Sequence, residues 1–127
     1  MSETLLYSVI ESPAHPNLTP LYRRLGIEEV KLNSVRKAIA QVKKRAPDWV
    51  VADFSYGYAN NYAGVNVSNL DVLLSSLRRY APQARVVVLA EQAEYQYVDK
   101  LKALFSVHAA LRYPVQAAQM ENVLAGS

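Results

Sequence analysis

Apolar and β-branched residues gather in five short stretches: Thr4 to Ile10, Glu29 to Leu32, Asp48 to Asp53, Arg85 to Ala90 and His108 to Arg112. These lengths read as strands. Trp49-Val50-Val51-Ala52 and Val86 to Ala90 are apolar on consecutive positions, as expected of strands covered on both faces. The segments between them carry helical spacing and helix punctuation. Pro16 and Pro20 frame a helix running to about Leu25, and Gly26 is placed as its stop. Asn33 or Ser34 can cap a helix from Val35 to Arg45, with Val35, Ile39 and Val42 on one face. Ser68 is the expected cap of a helix running to about Tyr80. Asp71 stands three positions on as a variant of the capping box, and Val67 and Val72 form a hydrophobic staple. Leu70, Leu73, Leu74 and Leu77 then face inward. Ala93 to Phe105 reads as one helix with Val98, Leu101, Leu104 and Phe105 on one side. Pro114 suits the first position of a last helix, in which Ala117, Met120 and Leu124 line up.

Strands alternating with helices through right-handed crossovers imply an α/β fold. It is one doubly wound, five-stranded parallel sheet in the order 2-1-3-4-5, with helices on both faces. Ligands and chemistry then belong beyond the carboxyl ends of the strands. The 127 residues suit one domain, 1–127. With no cysteine there is neither a disulfide framework nor a thiolate metal site. No apolar run approaches the roughly 20 residues of a membrane span, and no signal peptide is legible, so a cytoplasmic protein without a membrane role is expected. Fourteen basic and eleven acidic residues leave +3. The basic groups Arg23-Arg24, Lys43-Lys44-Arg45 and Arg78-Arg79 each fall near a helix end, where cations suit the macrodipole. Direct nucleic-acid binding by this domain is therefore not expected.

The strand ends bring together Glu11, Asp53, Ala90 and Tyr113. In this order the first and third strands are neighbours, so Glu11 and Asp53 face each other across a shared edge. Two carboxylates about 5 Å apart repel by roughly 3 kcal/mol at an effective dielectric of 20. A divalent cation, a basic side chain, hydrogen-bond donors or a shared proton must offset that. No glycine-rich phosphate loop or nucleophile elbow is present, and neither His15 nor His108 has a cysteine or second histidine nearby in sequence.

Along its whole length the chain resembles a response-regulator receiver domain, the CheY-like member of the flavodoxin-like folds. Val9-Ile10-Glu11-Ser12-Pro13 resembles the first strand, with Ile10 where the first acid belongs and Glu11 at the second. Pro47 to Asp53 resembles the third strand, with Asp53 at the phospho-acceptor position. Val87-Val88-Leu89-Ala90 puts Ala90 at the hydroxyl position. Leu111-Arg112-Tyr113-Pro114 puts Tyr113 in place of the lysine and keeps Pro114. The resemblance implies a cis Tyr113–Pro114 bond. It also implies Mg²⁺ held by Glu11, Asp53 and the Ser55 carbonyl if the chemistry survives. Tyr113 supplies a hydrogen bond but no charge, and Ala90 supplies nothing. Ala110 stands at the aromatic switch position.

The expectation is therefore a degenerate receiver, or pseudo-receiver. It would be non-catalytic, need no cofactor and signal in two-component transduction through protein–protein contacts. The alternatives are an atypical phospho-acceptor using Asp53 with Mg²⁺, and a small-ligand site at the strand ends. Nine tyrosines stand out. Tyr56, Tyr58 and Tyr62 lie in the long 54–67 loop, and Tyr95, Tyr97 and Arg112 flank the other side. That loop can plug the site, offer an interface, or both. The resemblance further implies a homodimer or docking contact through the 93–105 helix, the fifth strand and the last helix. Such domains stand at the N-terminus of longer regulators, transcription regulators among them.

Overall fold

The computed structural model describes residues 4–57 and 68–126. Its elements run β1 (Thr4–Val9), α1 (Thr19–Arg24), β2 (Ile27–Leu32), α2 (Val35–Lys44), β3 (Trp49–Asp53) and α3 (Asp71–Tyr80). They continue through β4 (Arg85–Ala90), α4 (Gln92–Tyr95), α5 (Val98–Lys102), β5 (Ala109–Arg112) and α6 (Ala117–Ala125). All strand pairs are parallel and the order is β2-β1-β3-β4-β5, as the alternation implied.

Alternate residues of each central strand feed two apolar layers. Leu5, Tyr7, Val9, Val50, Ala52, Val86 and Val88 pack with Ala38 and Val42 of α2, four α3-segment leucines, and Val98 and Leu101 of α5. Leu6, Trp49, Val51, Val87 and Leu89 pack with Leu21 and Tyr22 of α1 and with Met120 and Leu124 of α6. Both faces of β3 and β4 are thus covered, which explains why these two strands read as unbroken apolar runs. Burying one such side chain stabilises by about 1.5–3 kcal/mol.

Helix punctuation holds where local chemistry decides it. Ser34 caps α2, its side chain accepting from the Lys37 N–H at 3.1 Å. Gly26 ends the turn after α1 at φ +73°, a left-handed value that L side chains rarely adopt. Ser68 is not the N-cap of α3, which is Leu70 without a side-chain cap bond. Ser68 and Asp71 instead close the turn just before the helix, Ser68 Oγ accepting from the Leu70 N–H at 3.0 Å and Asp71 Oδ1 from the Ser68 N–H at 2.8 Å. Val72, the expected half of a staple, is 54 % exposed. Its partner Val67 lies outside the described residues.

Two further expectations are corrected. The 93–105 helix is two short helices, α4 and α5, because the junction bonds span three residues instead of four. Tyr97 N donates to Glu94 O at 2.9 Å and Lys100 N to Tyr97 O at 3.0 Å. The tighter turn rotates Leu104 outward, 51 % exposed, while Val98 and Leu101 stay buried. The last helix begins at Ala117, not Pro114, because Gln116 and Gln119 form a reciprocal cap there. Val115, not Ala117, joins the core.

Leu73 is fully buried beneath α3. Leu73→Ala is expected to lower the unfolding free energy by about 2–5 kcal/mol in urea melts, with an unchanged denaturant slope. Burial also raises the pKa of the Tyr22 hydroxyl, with nearby Glu29 adding to the shift. The folded state therefore keeps Tyr22 neutral, whereas tyrosine in the unfolded chain ionises near 10. Its contribution is complete below about pH 10 and is lost as pH climbs from there toward the raised folded value. Denaturation melts at increasing alkaline pH should show this loss, and Tyr22→Phe should make it shallower.

Candidate functional site

Asp53 ends β3, the central strand, and is 3 % exposed. Its carboxylate is engaged on both oxygens. Oδ2 accepts from the Glu11 N–H at 2.8 Å and the Ser12 N–H at 3.0 Å. Oδ1 meets His15 Nδ1 at 3.0 Å and accepts from the Tyr113 hydroxyl. An ionised carboxylate offers only acceptors, so Nδ1 carries the hydrogen in that contact. The His15 side chain is itself almost closed to solvent, at 3 %.

The local chain explains this convergence. β1 ends at Val9, and Ile10 N donates to Leu32 O at 2.8 Å, which directs the next residues over the end of β3. Glu11 and Ser12 then present consecutive N–H groups to one oxygen. A turn closed by His15 N on Ser12 O at 3.1 Å brings the imidazole back to the other. From the far side, Tyr113 N donates to Ala90 O at 2.9 Å, continuing the β5 ladder and setting the phenol over Asp53. The Tyr113–Pro114 bond is cis, as the resemblance implied.

Glu11 does not turn its carboxylate toward Asp53, contrary to the facing pair expected from strand adjacency. One oxygen accepts from Asn69 Nδ2 at 2.9 Å and the other from the Val35 N–H at 3.1 Å, at the start of α2. The open N–H groups and positive end of that helix draw the acid away. Of the four ways to offset the repulsion, the structure uses hydrogen-bond donors on both carboxylates. Asn69 ties the arrangement together: it also donates to Asp53 O at 2.9 Å and accepts from the Ser55 N–H at 2.7 Å.

This donor set does not fit the Mg²⁺ site implied by the resemblance. The Asp53 carboxylate already accepts four hydrogen bonds and the Glu11 carboxylate two, and Ser55 O accepts from the Asn69 N–H at 3.2 Å. Among the described residues, no three His, Cys, Asp or Glu side chains gather as a metal cluster. Ala90 is fully buried and lends no polar atom to the site. Pro114 is exposed and borders a cleft shared with Tyr95, Arg112 and Tyr113.

The tyrosines split. Tyr56 stacks on Tyr97 with centroids 3.9 Å apart and planes 12° apart, and Lys100 Nζ reaches the Tyr56 hydroxyl at 3.2 Å. Tyr95 donates to Ala110 O at 3.3 Å under the Arg112 guanidinium, 5.4 Å above its ring. All three rings are half-buried against the core. Tyr58 and Tyr62 lie outside the described residues. Sequence reading missed His15, Ser12 and Asn69 as site residues. The only available signal was that the segments after β1 and β3 must land at the strand ends.

By sequence, no protein-family model and no curated protein matches the chain. By structure, many neighbours are CheY-like response-regulator receiver domains. One is the receiver domain of AraT, a response regulator from Geobacillus stearothermophilus. Its TM-score is 0.75 at 17 % identity, covering 99 % of this chain and 92 % of that one. A CheY-like receiver domain from Methylobacillus flagellatus matches at TM-score 0.70 and 18 % identity, covering 98 % of both chains. NtrX from Brucella abortus, solved with ADP, matches at TM-score 0.72 and 16 % identity; the match covers 99 % of this chain and 27 % of NtrX. The class defined is therefore the receiver fold.

Tyr113→Phe removes one donor from the buried Asp53 carboxylate and should destabilise by about 1–3 kcal/mol. His15→Ala should do the same. The double variant should lose more than the sum, because it leaves Oδ1 with neither of its donors. Urea melts of the three variants check this.

Proposed function

We propose that this chain is a non-catalytic, receiver-like signalling domain that works through protein contacts, with the phosphorylation switch lost. One observation carries the reading: the carboxylate that would attack a phosphoryl group is already closed by Glu11 N, Ser12 N, His15 and Tyr113. For Asp53 to act as a nucleophile, an oxygen must shed its donors and face an incoming phosphorus atom. A phenol stands where the resemblance expects an ammonium group, so the transferred charge would lack a fixed cation. A methyl group stands where a hydroxyl would report the transfer. The donor arrangement around Glu11, Asp53 and Ser55 likewise supports work without Mg²⁺ or any other cofactor. A cytoplasmic role in two-component signalling, transcription regulation included, belongs to the same reading. So does pairing with a second copy or a protein partner through the α4–β5–α6 side.

The competing reading, an atypical phospho-acceptor, makes the opposite prediction in one experiment. With Mg²⁺ and acetyl phosphate, the intact-protein mass is expected to stay unchanged. With Mg²⁺ and beryllofluoride, the amide resonances of residues 11, 53 and 90 should not move. Phosphoryl uptake that disappears in Asp53→Ala would sink the proposal.

A further inference from the structure

Six cations collect on one side of the molecule. α2 carries Arg36, Lys37, Lys43 and Lys44 and no acid; α3 carries Arg78 and Arg79. The one acid of these two helices, Asp71, is buried and accepts from the Ser68 backbone and hydroxyl. Among the described residues, the salt bridges of arginine fall elsewhere, on Arg24–Glu121 and Arg45–Glu28. The six cations therefore have no carboxylate neutralising them within the described chain.

Read one by one, these are solvated side chains. The structure joins three of them, Lys43, Arg78 and Arg79. Tyr80 is 41 % exposed at the end of α3, with Lys43 Nζ 5.8 Å and Arg79 Cζ 5.3 Å from its ring centroid. One ring thus links the basic ends of two helices. Next along, Arg78 lies 4.7 Å over Phe105 and donates to Leu104 O at 2.8 Å. Beside Arg78 is a cleft of about 100 Å³ walled by Leu74, Leu77, Ala81, Pro82, Val86 and Phe105. Leu104, its chain neighbour, is half exposed. The face therefore offers uncompensated positive charge, an exposed Tyr and Leu, and one small apolar recess.

We propose that the α2–α3 face docks an acidic protein segment that inserts one aliphatic side chain into the cleft beside Arg78. The proposal rests on the docking function above and names its partner's chemistry. Opposite charge orients and steers such a segment. Arg and Tyr around a recess that admits one apolar anchor are the composition of protein-interface centres. A single-stranded nucleic acid fits less well, since the Tyr80 ring is already covered by two cations and the apolar recess is too small for a base. A membrane surface would need a broader apolar area.

The test uses the full chain and short labelled peptides of Asp, Glu, Gly and Ser with a central Leu, Ile, Met, Phe or Ser, read by fluorescence anisotropy. The Leu or Ile peptide should bind about tenfold tighter than the Ser peptide, in line with burial of one aliphatic side chain. Affinity should fall with added salt. The Lys43→Glu/Arg79→Glu variant should weaken binding by about tenfold, with its thermal melt showing an intact fold. Equal binding of all peptides, or no binding by any, overturns the proposal. So does indifference to the charge reversal, or tighter binding of oligo-dT or phosphatidylserine vesicles. Phosphoryl uptake at Asp53 would instead overturn the function proposed above and leave the peptide result standing, so the two failures are distinguishable.

Discussion

A carboxylate that is only 3 % exposed must find hydrogen-bond donors, or its lost hydration destabilises the fold. Asp53 finds them on two segments distant from its own strand: the turn after β1, through Glu11, Ser12 and His15, and the end of β5, through Tyr113. Hydrogen bonds to a charged group contribute about 1.5–3 kcal/mol each. Burying an ion costs several kcal/mol, so a single donor would leave a deficit and four together offset it. The same bonds fix the path of the 11–15 turn and hold the last strand against the centre of the sheet. What satisfies the charge therefore also shuts it away, since freeing the carboxylate means breaking the bonds that order two flanking segments.

This closure accounts for the behaviour of the neighbouring groups. With Oδ2 taken by two backbone N–H groups, Glu11 gains nothing by approaching Asp53. It is held instead at the start of α2 and by Asn69. Asn69 binds the Glu11 side chain, the Asp53 carbonyl and the Ser55 backbone together. The Tyr56–Tyr97 stack, pinned by Lys100, covers the adjoining edge. At the rim of strand ends, where folds of this class place ligands, the described side chains thus spend their polar atoms on one another.

The opposite end of the molecule has a different character. Because each helix runs back against its strands, the carboxyl ends of α2 and α3 come to the amino edge of the sheet, away from Asp53. Their cations meet around Tyr80 and beside the Phe105 cleft. Docking there and closure at Asp53 draw on different residues, so they can vary independently.

The strand–helix alternation, the sheet order, the covered faces of β3 and β4 and the place of Asp53 at a strand end were all legible in the chain itself. Periodicity and capping record local burial, and the right-handed crossover leaves few ways to assemble the pieces. The Ser34 cap, the Gly26 turn and the Ser68–Asp71 pairing were legible for the same reason, since each is decided within a few residues. Only the tertiary structure decided which side chains answer Asp53. His15 is 38 residues away and Tyr113 is 60, and neither spacing carries a signal. It also decided that Glu11 turns to α2, that Leu104 swings outward at a tightened turn, and that Lys43 and Arg79 share one ring. Side-chain direction at strand ends and turns depends on neighbours remote in the chain, and those neighbours exist only once the sheet has formed.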